Sequence, residues 1–271
     1  MSSYKVVFYL FNAQSNCRIL TYRNAKHIFI THGESNKLAS IKPIIRIYDY
    51  VVCAGDAGVS RYLENGIFSR YDVENHRIIK MGDTFIGKSV FKKISDKKNA
   101  YILYAPTWEG GIKSEQYSSL SEDLYAFKTI QISGKKEKKF LNLEHLLSKE
   151  KEIRVISKYD SLHEYIIKSN MFICDISAVV SECLAVNAPI FLYIPKDKNI
   201  KIAQSNMPYE EYCYIFSSPE ELSELVYRVV SGDDFLWQNR LKAQKYIINT
   251  EDTLKETFIK QLQEISEDNS V

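Results

Sequence analysis

Several kinds of chemistry are missing from this sequence. No Cys-X-X-Cys occurs, and the five cysteines, at 17, 53, 174, 183 and 213, are odd in number. Two of them fall in expected buried elements, which argues for reduced thiols and against a disulfide framework. No His-X-X-X-His and no mixed Cys/His cluster is present, so a metal site has no sequence support. The dinucleotide fingerprint Gly-X-Gly-X-X-Gly is absent too. No apolar run reaches the roughly 18 residues of a membrane-spanning helix. The opening MSSYKVVFYLF is apolar over only about seven residues and lacks a small-residue cleavage site, so it reads as a first strand and not as a signal peptide. Charge of one sign is lacking as well: 36 basic and 34 acidic residues leave a net +2, which gives no general case for nucleic acid. Internal repeats and low-complexity segments are not found. Together these readings place the chain in the cytoplasm.

What is present is an α/β pattern. The 271 residues are 45% hydrophobic, enough for one large domain or two small ones. Short apolar runs at 6–11, 27–31, 48–54, 77–81, 101–104, 129–133, 154–157, 171–174, 190–194 and 214–216 read as strands. Helical stretches lie between them, at 59–65, 161–169, after 177 and from 219, and the segment 233–267 reads as helical. Strands alternating with helices argue for parallel sheets. Residues 84–99 are polar and rich in lysine (Lys88, Lys92, Lys93, Lys97, Lys98) and suit a linker between two lobes. The stretch 112–151 shows the least periodicity.

The chain is organised around residues 172–193, FICDISAVVSECLAVNAPIFLY. A buried strand ends at Asp175, Ser177 begins a helix, and Asn187 and Pro189 stop it before a second buried strand. This is a parallel βαβ unit, whose first loop sits at the carboxyl edge of the sheet, where ligands bind. Two readings of that loop stand side by side. Asp175 and Ser177 cap the helix, or Ser177 and the N–H groups behind it hold a phosphate. Glu182 lies along the same mouth.

Other candidates also fall at strand ends. His32 follows the strand 27–31 and precedes Gly33, which permits a sharp turn. Its imidazole could act as a base near neutral pH, or serve as a structural hydrogen-bonding group. The other histidines, in polar or helical settings, are weaker candidates. Gly55 opens a glycine turn before a helix and could let that helix approach a ligand. Trp108, after Pro106 and Thr107, could stack on a base or fill a lobe interface. Lys37, Arg61 and the run 135–139 could meet phosphate, although charge runs are usually solvated surface. With the 88–98 lysines they form a candidate basic face for anionic lipid headgroups.

Four segments, THGESNK (31–37), YDYVVCAGDAGVSRY (48–62), LYAPTWEG (103–110) and CDISAVVSECLAVNAPIFLY (174–193), resemble in sequence and order the CDP-glycerol glycerophosphotransferase family of teichoic-acid and capsule polymer enzymes. Asp175, Ser177 and Glu182 match the spacing of the family's Asp-X-Ser-Ser…acid pattern, with Ala178 in place of the second serine. The resemblance implies a GT-B-like fold of two Rossmann-like lobes, the first shortened, with the active site in the cleft. It implies an acceptor-side lobe over 1–86 that carries His32 as catalytic base, and a nucleotide-donor lobe over 87–271 that includes the C-terminal helices. Thr107, Trp108, Asp175, Ser177, Ala178 and Glu182 would bind the donor, and Gly33, Lys37 and Gly55 would touch phosphate or acceptor. No cofactor or metal is implied. The implied partners are CDP-glycerol or a similar CDP-alditol, a polymer or lipid-linked acceptor, and an anionic surface at the inner face of the cell membrane, where the protein would be peripheral. The sequence departs from the family by having no His-Pro pair. Two alternatives therefore stay open: a GT-B glycosyltransferase using a nucleotide sugar, and a non-catalytic binding subunit.

Overall fold

A computed structural model describes residues 4–31, 33–82, 101–107, 118–119, 131–133, 155–156, 160–197, 200–249 and 252–267. In chain order its strands are β1 (Val6–Tyr9), β2 (Lys26–Phe29), β3 (Tyr50–Cys53), β4 (Ile78–Lys80), β5 (Ile102–Ala105), β6 (Gln131–Ser133), β7 (Val155–Ile156), β8 (Met171–Asp175), β9 (Ile190–Tyr193) and β10 (Tyr214–Phe216). Its α-helices are α1 (Cys17–Leu20), α2 (Asp56–Glu64), α3 (Arg70–Glu74), α4 (Leu162–Lys168), α5 (Ala178–Cys183), α6 (Pro219–Val230), α7 (Trp237–Ile247) and α8 (Asp252–Glu267). The chain forms two compact units. The first comprises Met1–Gly87, Ile202–Met207 and Gln244–Val271, and the second Lys88–Lys201 and Pro208–Ala243.

In the first unit four parallel strands run in the order β1-β2-β3-β4. Successive side chains point to opposite faces of such a sheet. Phe29, Val51, Cys53 and Ile78 pack with Tyr48, Tyr62 and Phe68 on one face, while Ile28, Val52 and Ile79 pack with Phe258 and Ile265 of α8 on the other. A parallel strand buried on both faces needs cover on both, and α8 supplies the second. The expectation of one cut at 86/87, with every C-terminal helix in the second lobe, differs from this division. Segments 202–207 and 244–271 belong to the first unit: the Ala203 N–H donates to the Asn36 carbonyl at 2.8 Å, and Phe258, Leu262 and Ile265 of α8 meet the β2–β4 face. Helix α3 starts with a capping box, in which Ser69 accepts from the Asp72 backbone and Asp72 accepts from that of Ser69.

The second unit holds a parallel sheet of order β7-β6-β5-β8-β9-β10. From β5 onward this is the 3-2-1-4-5-6 order of a doubly wound fold. All five residues of β8 are buried, as the continuous apolar run 171–174 leads one to expect. Helix α6 packs Leu222 and Val229 onto Phe191, Tyr214 and Phe216. Its start carries proline in the first turn, and Ser218 accepts from the Glu221 N–H. The expected linker at 84–99 and the basic run at 135–139 lie outside the described residues. Among the described residues, no helix is long and apolar enough to cross a membrane.

Candidate functional site

In a doubly wound sheet the chain turns from one side to the other between its first and fourth strands, and ligands bind at the carboxyl ends there. Here those strands are β5 and β8. They pair from Ile102↔Met171 to Ala105↔Cys174, so Thr107 and Asp175 emerge side by side. Asp175 is 0% exposed. Its Oδ2 accepts the backbone N–H of Thr107 at 2.6 Å and that of Ser119 at 2.9 Å. The carboxylate therefore ties the loop after β5 and the segment at 118–119 to the end of β8. Ser118 donates its hydroxyl to the Thr107 carbonyl at 3.4 Å. The hydroxyls of Tyr104 and Ser119 share a hydrogen bond of 2.5 Å. Burial, with the nearby Asp175 charge second, raises the Tyr104 phenol well above its usual range. Ser118 and Ser119 were not foreseen, because they fall in the stretch with the least periodicity.

Of the two readings of the loop after β8, the capping one is not realised. Ser177 occupies the N-cap position in an extended conformation (φ −158°, ψ 173°) and its side chain makes no capping bond. Its hydroxyl oxygen is buried and has no hydrogen-bond partner among the described residues. A buried polar atom left in this state calls for an explanation, and a ligand supplies one. Ala178 and Glu182 follow on α5, both half-buried. Thus Thr107, Asp175, Ser177, Ala178 and Glu182 belong to one unit, with Thr107 and Asp175 in direct contact. Trp108 and His32 lie outside the described residues.

The first-unit candidates sit on two strand-end loops. Gly33 has φ 110°, and the Lys37 N–H donates to the Ser35 hydroxyl at 3.0 Å. Gly55 is enclosed by protein: a Cβ there would lie 2.7 Å from the Tyr246 carbonyl oxygen and 2.9 Å from that of Ile247. The end of α7 occupies the approach that had been assigned to a ligand. Arg61 is also not a surface cation. It is 4% exposed and paired with Glu34; burial pulls the guanidinium down, but the Glu34 charge and hydrogen bond, with Tyr62 and Cys53, together outweigh it and raise it above its usual range. Burial leads in pushing the neighbouring Cys53 thiol and Tyr62 phenol upward, so neither ionises near neutrality. The signal in the sequence for a buried Arg61 is the Gly58/Arg61 spacing, which puts a small residue one turn before the cation.

A separate cavity of about 560 Å³ lies beside α6, lined by Ile194, Lys196, Phe216, Ser217, Glu221 and Arg228 among others. Three of its polar groups engage one another: Lys196 pairs with Glu221, which also accepts from the Ser217 hydroxyl at 2.8 Å, while Arg228 pairs with Asp233. Among the described residues, no group of three or more His, Cys, Asp or Glu side chains could hold a metal ion.

The chain is similar in fold to several solved structures. The wall teichoic acid polymerase TagF, in a histidine-to-asparagine variant soaked with CDPG, matches with TM-score 0.65 and 16% identity over 99% of this chain and 74% of that one. A protein described as a UDP-N-acetylglucosamine 2-epimerase from Listeria monocytogenes matches with TM-score 0.63 and 11% identity over 98% of this chain and 75% of that one. A glycosyltransferase from Rickettsia africae matches with TM-score 0.51 and 15% identity over 98% and 78%. These matches show the GT-B-like α/β fold expected from the sequence. No curated protein matches the chain in sequence. The family model for CDP-Glycerol:Poly(glycerophosphate) glycerophosphotransferase matches residues 88–254, more than half of the chain, and the protein belongs to that family.

Proposed function

We propose that the protein transfers glycerol phosphate, or a related polyol phosphate, from a CDP-activated donor to a hydroxyl of a growing cell-surface polymer in teichoic-acid or capsule synthesis. The second unit binds the donor. Thr107, Ser177, Ala178 and Glu182, together with Trp108 by its place in the sequence, are its donor contacts, and Asp175 braces the loop that carries Thr107. The first unit carries His32 as the base. His32 takes the proton of the acceptor hydroxyl while that oxygen attacks the β-phosphorus. The bond from the β-phosphorus to the bridging oxygen breaks, and CMP leaves with that oxygen. Hydrogen-bond donors aimed at the phosphoryl oxygens would stabilise charge as it shifts to the leaving group. The acceptor is polymeric or lipid-linked, so the protein works at the inner face of the membrane.

The observation that carries this reading is the buried Ser177 hydroxyl, without a partner among the described residues, at the β5–β8 switch point of a family member. A phosphate oxygen would satisfy it. The test is to incubate the purified protein with CDP-glycerol and an acceptor and measure CMP. Ser177→Ala should raise KM for the donor by roughly tenfold, the loss of about one hydrogen bond to a charged group. CMP release with unchanged KM in Ser177→Ala would remove the serine from the donor site. The fold shared with proteins named for nucleotide-sugar chemistry supports a second reading, a GT-B glycosyltransferase. Release of UDP or GDP from a sugar donor, and none of CMP, would establish it.

A further inference from the structure

Buried hydroxyls gather where β5 and β8 end, and they are used in two ways. That of Ser177 has no partner among the described residues. Those of Tyr104, Ser118 and Ser119 are engaged with the protein. The Tyr104 and Ser119 hydroxyls share their bond of 2.5 Å, and the Ser118 hydroxyl donates to the Thr107 carbonyl at 3.4 Å. The N–H groups of Thr107 and Ser119 both donate to Oδ2 of Asp175, at 2.6 and 2.9 Å. These bonds close on themselves. Tyr104 on β5 holds Ser119, Ser119 and Thr107 share one carboxylate oxygen, and Ser118 returns to Thr107. Tyr104 and Asp175 are 0% exposed, and Ser118, Thr107 and Ser119 are 4%, 5% and 7% exposed. Residues 108–117 separate Thr107 from Ser118 in the chain, yet the two meet. Both backbone polar groups of Thr107 are therefore taken, the N–H by Asp175 and the carbonyl by Ser118.

We infer that Tyr104, Ser118 and Ser119 are positioning residues for the donor, whose hydroxyls hold Thr107 at one place beside the end of β8. The inference rests on the reading of Thr107 as a donor contact. Packing does not call for these hydroxyls. Tyr104 lies in an apolar cluster with Met171, Ile173 and Phe191, where phenylalanine would fill nearly the same volume. Burial keeps its phenol protonated, so its bond to Ser119 joins two neutral hydroxyls. Such a bond adds little net stability. What a satisfied buried polar network adds is a unique geometry. Here the geometry belongs to Thr107 and to the segment 118–119, fixed against the two strands that flank the switch point. A contact residue held in place before its ligand arrives does not have to be ordered on binding. Ser118 acts on Thr107 directly, and Tyr104 acts through Ser119 and the shared carboxylate.

The test uses the full chain with Tyr104→Phe, with Ser118→Ala and with both together. Val229→Ala serves as a stability control, because Val229 packs in the same core cluster from α6 and takes no part in the network. Three quantities are read: the melting temperature, the hydrogen exchange of the Thr107 amide relative to the amides of β8, and kcat and KM for CMP release from CDP-glycerol. Each network variant should speed Thr107 exchange relative to β8 by roughly tenfold. Each should raise KM about fivefold, the loss of about one neutral hydrogen bond, with kcat within about twofold of the wild type. The double variant should raise KM by less than the product of the single effects, because both substitutions loosen one residue. Val229→Ala should lower the melting temperature and leave both the exchange ratio and KM unchanged. If the network variants lower the melting temperature with KM unchanged, the hydroxyls are only structural and the inference is overturned. If the wild-type protein neither binds CDP-glycerol nor releases CMP, the donor reading fails by itself. The exchange ratio still decides whether the hydroxyls hold Thr107, because a ratio identical in all the proteins refutes the positioning claim.

Discussion

Asp175→Ala separates a structural carboxylate from a ligand-binding one. The side chain is fully buried, and one of its oxygens accepts two backbone N–H groups, those of Thr107 and Ser119. Alanine leaves both donors without this acceptor in a buried site. Each such loss costs about 1–3 kcal/mol, and bonds to an ionised acceptor lie at the upper end. The sum is on the order of 3–5 kcal/mol, large for a single substitution. For a chain of this size each kcal/mol shifts Tm by about 2–4 °C, so a fall of about 10 °C is expected in a calorimetric scan. Asp175→Asn keeps an acceptor oxygen and loses only the reinforcement by charge, about 1–2 kcal/mol. The same variants, titrated with CDP-glycerol at a temperature where each is folded, should bind the donor with affinity lowered in step with their stability. The reasoning is refuted if Asp175→Ala melts within about 2 °C of the wild type while donor affinity falls more than tenfold. That result would make the carboxylate a direct ligand contact.

Three further substitutions probe the scaffold. Gly55→Ala forces a Cβ against the Tyr246 and Ile247 carbonyl oxygens and should cost about 1–3 kcal/mol in denaturant unfolding; with φ −147° the backbone itself accepts alanine, so steric contact is the whole effect. Arg240 is 1% exposed, donates to Asn187 at 3.0 Å and pairs with Asp234, so Arg240→Ala should lower stability by about 3–5 kcal/mol, measured in the same way. Asp72 gives an acid limb. Burial pushes its carboxyl up, but the Ser69 N–H, the Ser69 hydroxyl and Arg77 outweigh it and hold the pKa at about 2. A folded pKa below the unfolded value of about 3.9 adds stability that is complete above that pH and lost as pH falls from about 4 to 2. Unfolding free energy followed over that range should drop by on the order of 1–2 kcal/mol more in the wild type than in Asp72→Asn.

The parts of this structure that the sequence displays are those set by local periodicity. Ile28 and Phe29, or Val51 and Val52, declare a strand buried on both faces, and FICD before Ser177 declares the carboxyl edge of another. The parts it conceals depend on contacts between distant residues. The apolar stripe of Phe258, Leu262 and Ile265 says that α8 has a buried face, but it does not say which sheet receives it. Amphipathicity gives the orientation of a helix and leaves its partner open. The same limit explains the candidate site. Asp175 followed by Ser177 looks like a cap because both side chains are good at capping and the helix is next in sequence. The carboxylate instead bonds residues 68 and 56 positions away, Thr107 and Ser119. The serine hydroxyl, for its part, makes no capping bond and has no partner among the described residues. Glu34 and Arg61, 27 residues apart, follow the same rule. From the sequence Arg61 reads as a candidate phosphate contact and Glu34 as an ordinary loop acid, and only the fold, by bringing β3, α2 and the loop after β2 together, turns them into a buried pair. In this protein the polar groups that hold the strand-end loops, Asp175 on Thr107 and Ser119 and Glu34 on Ala54 and Arg61, are placed by long-range contacts that no local pattern names.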